Sequence, residues 1–123
     1  MSVPVGRAPK TAVICDTSAA GRAILTIAAA RKGYRVVGVC WDYRHASVRA
    51  AMTSPTIVVL PLDQTDLHRC LEAIARIKSA SPATAVICVV DRWDNSLVAE
   101  AYLAGADATV LRTALSSVIE HLL

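Results

Sequence analysis

Asp16 and Thr17 stand at the end of one apolar run, Pro61 and Val90 end two others, and Arg112 follows a fourth. If these runs are strands of one sheet, their ends share a crevice. A few polar groups among apolar neighbours can hold a small ligand, and an arginine there selects an anionic one. Covalent catalysis is poorly provided for. Asp16 has no His or Ser partner nearby, and its neighbour Cys15 alternates to the opposite face of an extended chain. Asp63 lies two residues past Pro61, on the same side of an extended chain, so a bulge at Pro61 would carry its carboxylate into the crevice. The ungapped spacing instead favours a loop or helix-start role for Asp63, close to Asp66.

The other reactive side chains do not assemble into sites. Cysteines at 15, 40, 70 and 88 form no CxxC, and none has a histidine at metal-ligand spacing. Cys15, Cys40 and Cys88 sit in or beside apolar runs and read as buried reduced thiols, which suits a cytoplasmic protein. His45, His68 and His121 fall on three separate expected helices, and on a helix His68 and Cys70 face different ways. Gly21 in TSAAGR belongs to neither GxGxxG nor GxxxxGK[ST], so no phosphate loop is read there. No metal and no cofactor is expected. Trp93, between charged neighbours in Asp91-Arg92-Trp93-Asp94, is a candidate contact residue, and Trp41 with Asp42, Tyr43 and Arg44 makes a second candidate strip.

These residues need a scaffold, and the apolar pattern predicts one. Five short runs rich in Val and Ile, at 11–15, 35–40, 56–60, 85–90 and 108–111, read as strands buried on both faces. Between them lie helical stretches. Ser18 caps 19–32 ahead of Gly33, and 43–52 ends at Ser54-Pro55. Leu67, Leu71, Ile74 and Ile77 line one face of 66–79. Asp94 or Asn95 caps 96–104 ahead of Gly105, and 114–123 closes the chain with Leu115, Val118, Ile119 and Leu122 on one stripe. Such alternation predicts a (βα)5, doubly wound, five-stranded parallel sheet in the order 2-1-3-4-5, with its crevice at the carboxyl ends of the strands.

Composition agrees. Hydrophobic residues make up 54% of 123, enough for one core and against global disorder. Residues 1–10 read as a flexible leader and 11–123 as the domain. The thirteen Lys and Arg are scattered and the formal charge is only +3, which argues against nucleic-acid binding by this domain alone. No apolar run approaches the ~20 residues of a bilayer span, and no signal peptide is visible.

Four blocks carry a family resemblance: AVICDTS at 12–18, KGYRVVGV at 32–39, SPTIVVL at 54–60 and LVAEAYLAGADATVLR at 97–112. In order and in register, they make residues 11–123 resemble the CheY-like receiver domain of bacterial response regulators. The resemblance implies a flavodoxin/CheY-like three-layer sandwich, and a phosphorylation pocket at given positions. The acidic pair falls on Asp16 and Thr17, the phosphoacceptor on Pro61, the hydroxyl on Val90, the lysine on Arg112 and the aromatic switch on Thr109. Acceptor, hydroxyl, lysine and half the acidic pair have changed, so the resemblance is to a pseudo-receiver, with Asp63 as the one substitute acceptor to consider.

The implied function is regulation of a two-component type without phosphorylation at the usual position, through protein–protein contact or homodimerisation. Partners would be a second copy, a kinase or an output domain. The last block looks most like receivers that precede a helix-turn-helix transcription regulator. The resemblance points to the fourth helix, fifth strand and fifth helix as the contact face, with Trp93, Tyr102, Thr109, Glu120 and His121 as its members. The alternative is a small-molecule sensor using the former phosphorylation crevice. An enzyme is not expected.

Overall fold

The computed structural model describes residues 9–114. The expected helix over 114–123, with Glu120 and His121, therefore falls almost wholly outside the described residues, as does most of the expected leader. Strands β1 (Thr11–Cys15), β2 (Arg35–Cys40), β3 (Ile57–Pro61), β4 (Ala85–Val90) and β5 (Ala108–Leu111) alternate with helices α1 (Ala19–Arg31), α2 (Tyr43–Thr53), α3 (Leu67–Ala80) and α4 (Asn95–Ala104). All strand pairs are parallel and the order is β2-β1-β3-β4-β5, as the alternation predicts.

Alternation along the strands sends successive side chains to two cores. Val13, Val58, Leu60, Val86 and Cys88 meet α2, α3 and α4 through Ala46, Ala50, Ile74, Ile77 and Ala101. Ala12, Ile14, Val59, Ile87 and Val89 meet α1 through Leu25 and Ala29. Alanines dominate the helix side of both contacts, which lets the helices lie close to the sheet. Burial on both faces holds for β1, β3 and β4. It does not hold for β2, where Arg35 and Val39 are exposed. As an edge strand β2 has a neighbour on one side only, and Val36 and Val37 are only partly covered while Val39 stays at the surface.

Strand β3 begins and ends one residue later than expected. The backbone amide of Thr56 still binds Thr11 O at 2.9 Å, and Leu62 N beyond the strand binds Val89 O at 2.8 Å. Pro61 thus occupies the last position of a central strand, where its missing donor costs the ladder least. Two expected caps form, with Ser18 accepting from Gly21 N and Asp94 from Ser96 N and Leu97 N, and Asp42 adds a further cap, not among those expected, by accepting from His45 N. Asp66 at the start of α3 makes no such bond.

Helix α4 stops at Gly105, whose φ of +118° lies in the left-handed region. A Cβ there would also sit 3.1 Å from Lys78 Cγ. That lysine is held in place, with Nζ donating to Thr84 O at 2.8 Å and Asp107 Oδ2 at 3.0 Å. Gly105→Ala should therefore cost about 1–3 kcal/mol of stability through backbone strain and crowding. Urea unfolding checks this; an unchanged midpoint would mean the turn relaxes freely.

Candidate functional site

The polar residues at the carboxyl ends of the strands converge through one side chain. Asp16 directly follows β1 and is only 3% exposed. Its Oδ1 accepts from Ser18 N at 3.0 Å, and its Oδ2 accepts from Arg112 Nη1 at 2.6 Å. Arg112 directly follows β5, and its Nε donates to Asp91 Oδ1 at 2.6 Å. Strands β4 and β3 lie between β5 and β1 in the sheet, so the arginine crosses the ends of both. Burial alone would lower the Arg112 pKa, but the bonds to Asp91 and Asp16 outweigh it and hold the guanidinium above its ordinary value.

The loop around Asp16 is shaped to accept that carboxylate. Gly21, in the first turn of α1, has no Cβ to meet it; one would lie 2.5 Å from Asp16 Oδ2. Arg22 closes the loop from the helix side, with Nη1 donating to Asp16 O at 3.0 Å and Thr17 O at 3.3 Å. Thr17 itself is exposed. Beside the crevice lies a cavity of about 430 Å³, lined by Asp16, Gly21, Ile24, Asp91 and Arg112 among others.

The middle of the crevice is apolar and closed. Pro61 and Val90 are both buried. The Pro61 carbonyl accepts from Tyr43 Oη at 2.5 Å and from Cys70 Sγ at 3.4 Å. Asp63 does not reach the crevice by a bulge. It is exposed in the loop after β3, where Oδ1 accepts from Thr65 N at 3.0 Å in a local Asx turn.

The thiols behave as the sequence suggests. All four cysteines are free and buried. Burial, reinforced by Cys40, pushes the Cys15 thiol up to about 12, and Cys88 is raised by its hydrogen bond to Cys70 and by burial. Among the described residues no group of three or more His, Cys, Asp and Glu could hold a metal ion. His45 instead pairs with Asp42 at 2.9 Å and lies 5.1 Å, centroid to centroid, from the Trp41 ring.

The candidate contact residues separate. Trp93 and Tyr102 are about half exposed, and Trp93 Nε1 donates to Asn95 Oδ1 at 3.0 Å. Thr109 departs from the expectation of a surface residue. It is 8% exposed, its amide donates to Tyr102 Oη at 3.1 Å, and its Oγ1 has no partner among the described residues. The tyrosine hydroxyl thus covers the outer edge of β5 at this point.

Sequence reasoning singled out Asp16, Arg112 and the Asp91 loop, but not the bonds joining them. The signal was available. Strands β4 and β5 are neighbours with Val90 opposite Leu111, so the residues that follow, Asp91 and Arg112, come side by side. The roles of Arg22 and Tyr43 had no comparable signal, because each depends on how far a helix tilts over the sheet.

No protein-family model matches the chain, and no curated protein sequence does. Solved structures do match its architecture. The signal receiver domain of NarL from Mycobacterium tuberculosis is 18% identical, with a TM-score of 0.83 over 94% of each chain. A LuxR-family DNA-binding response regulator from Staphylococcus aureus is 17% identical, with a TM-score of 0.79 over 92% of this chain and 95% of that one. A chain of the CheX–CheY–BeF3–Mg2+ complex from Borrelia burgdorferi is also 17% identical, with a TM-score of 0.77 over 94% and 90%. At these identities the likeness is one of fold: this chain has the CheY-like receiver architecture. Among its described residues, no helix is long and apolar enough to cross a membrane.

The crevice geometry makes Arg112 a structural residue. Removing it leaves a buried carboxylate with one hydrogen bond and no counter-charge. Because the guanidinium is itself partly open to solvent, the cost falls below that of a fully buried pair. Arg112→Ala should destabilise by about 1–3 kcal/mol, and Asp16→Asn in the same background should recover part of that loss. Denaturant unfolding of both singles and the double measures the coupling; additive effects would show that the pair contributes nothing.

Proposed function

We propose that this chain is a receiver-like regulatory domain of a two-component type that acts by protein–protein contact, not by accepting a phosphoryl group at the usual position. The observation that carries this reading is Arg112 bonded to both Asp16 and Asp91, above a β3 end occupied by Pro61.

The argument is chemical. Phosphoryl transfer to a receiver needs a nucleophile, a divalent cation and donors for the phosphoryl oxygens. Proline offers no nucleophile. Magnesium prefers carboxylate oxygens in an octahedral shell, whereas both Asp16 oxygens already accept bonds and Thr17 adds only a neutral hydroxyl. The residues present do not fit that ion. A guanidinium lies against Asp16 instead, as a cation carried by the chain itself. Asp63 bonds its own loop, which disfavours it as a substitute acceptor.

What remains suited to work is surface. Leu103 on α4 is 88% exposed, and Tyr102 and Trp93 lie on the same helix and the loop before it. Aromatic and leucine side chains left in water favour a protein partner. We assign that partner to a second copy, a kinase or an output domain. The LuxR-family likeness supports a helix-turn-helix output, and the CheX–CheY complex illustrates a receiver-fold chain in a protein assembly. A ligand in the old crevice is the weaker reading, despite the cavity beside Asp16. The charged groups there already satisfy one another.

Incubation with acetyl phosphate and magnesium, followed by intact mass, should give no phosphoryl adduct; an adduct would overturn the reading. Sedimentation over a concentration series should show reversible self-association, weakened about tenfold or more by Leu103→Asp. A chain that stays monomeric throughout would remove the second copy from the set of partners.

A further inference from the structure

Strand β2 is an edge of the sheet, and among the described residues no strand pairs with its outer side. Asp16 N binds Cys40 O at 3.1 Å, so the Cys40 carbonyl turns toward β1. Successive residues of a strand turn their backbone groups to opposite sides, so the N–H and C=O of Val39 point outward. A groove of about 280 Å³ follows this edge. Val39 and Trp41 line it on the strand side, and His45, Val48, Arg49 and Met52 on the side of α2. The spacing 45, 48, 49 and 52 makes one stripe of the helix. Gly38 lets that stripe come close, because a Cβ there would strike Arg49 Cγ.

Four of the nine large apolar side chains exposed among the described residues gather here: Val39, Trp41, Val48 and Met52. An apolar patch of this kind marks a contact surface. Charge says which contact. Between residues 35 and 53 the chain carries Arg35, Arg44 and Arg49 against one carboxylate, Asp42. Asp42 is already engaged by the amide and ring of His45. Among the described residues no carboxylate lines the groove, and neither Arg35 nor Arg49 makes an ion pair. A second copy laid edge to edge across a two-fold axis would bring these cations together, which is unfavourable. An acidic segment meets them.

We propose that an extended, acidic segment of a partner protein docks in this groove, adding a strand to the edge of β2, with apolar side chains against Val48 and Met52 and a carboxylate on Arg49. Strand addition at a free edge gains main-chain hydrogen bonds as well as apolar burial. The segment is short. The pairing of β2 with β1 skips Val37, so the regular stretch of the edge is Gly38–Cys40. The groove lies at the opposite edge of the sheet from β5, so this inference is independent of how the α4 surface is used.

The probe is an acetylated, amidated heptapeptide with Val-Leu-Val between two acids at each end. Titration followed by amide NMR should shift Val39, Trp41, Val48 and Met52 and give a Kd on the order of 100 µM or tighter. Lysines in place of the acids should weaken binding about tenfold or more. Of two N-methylated versions, one at the leucine and one at both valines, at least one should weaken as much, because alternate amides face the edge. Arg49→Glu and Val48→Asp replace exposed side chains, so folding should survive, as circular dichroism can verify. Each should weaken binding about tenfold or more, whereas Ile27→Asp on α1 should leave it unchanged. Four results would sink the proposal: no binding at millimolar peptide, the lysine peptide binding as tightly, both N-methylated versions binding like the parent, or phosphatidylglycerol vesicles taking up the protein while the peptide leaves Val39 unshifted. Self-association abolished by Val48→Asp would give the groove to a second copy and overturn it too. Phosphoryl uptake and the effect of Leu103→Asp are separate readouts, so either reading can fail alone.

Discussion

A carboxylate almost removed from water must find hydrogen bonds and a counter-charge, and much of the arrangement at the carboxyl end of the sheet follows from how Asp16 finds them. The β1–α1 loop turns so that Ser18 can donate its amide. Helix α1 starts with a glycine one turn in, because any side chain there would strike the carboxylate. Arg112 extends across two strand ends to supply the positive charge, and Asp91 holds its far side. Each of these residues is explicable only through the group it serves. The two ends of the sheet differ accordingly. At the amino ends of β4 and β5, Lys78 and Asp107 tie helix to loop through ordinary surface bonds. At the carboxyl ends, one arginine organises three loops.

The fold was legible because periodicity, caps and turns agree. Strands four to six residues long, rich in β-branched residues, alternate with helices, two of them opened by the caps Ser18 and Asp94, and Gly105 ends α4 where a left-handed residue is needed. That consistency leaves little room for another topology. The misjudged elements share a cause. The exposure of β2 and the burial of Thr109 depend on which strand is an edge and what lies over it, and neither is a local property. The resemblance puts Thr109 on the contact face, yet a tyrosine seven residues earlier reaches over it.

The candidate site was legible as a set of positions and not as a geometry. Residue types placed Asp16, Pro61, Val90 and Arg112 at strand ends, and strand order brought those ends together. The reach of a long side chain is harder to read. Arg112 has enough length, and donors on enough separate nitrogens, to bond two carboxylates, one through Nε and one through Nη1. The four buried thiols show the opposite case. For Cys15, Cys40 and Cys88 the apolar runs alone predict an interior role. All three thiols are raised, Cys15 and Cys40 chiefly by burial and Cys88 by its hydrogen bond to Cys70 and by burial, whereas Cys70 is lowered by that same bond.

The Arg112–Asp16 bond joins residues 96 apart in the chain. A contact of that separation closes a loop of most of the domain, so it can form only in a chain that extends through β5. Chains made from the amino end expose Asp16 to this requirement long before Arg112 has emerged. Until then the carboxylate lacks its counter-charge, and the β1–α1 loop keeps only the bonds made by Ser18 and Arg22. The carboxyl end of the sheet is thus the part whose bonds need both ends of the domain. Its completion reports that the whole sheet, through β5, has been assembled.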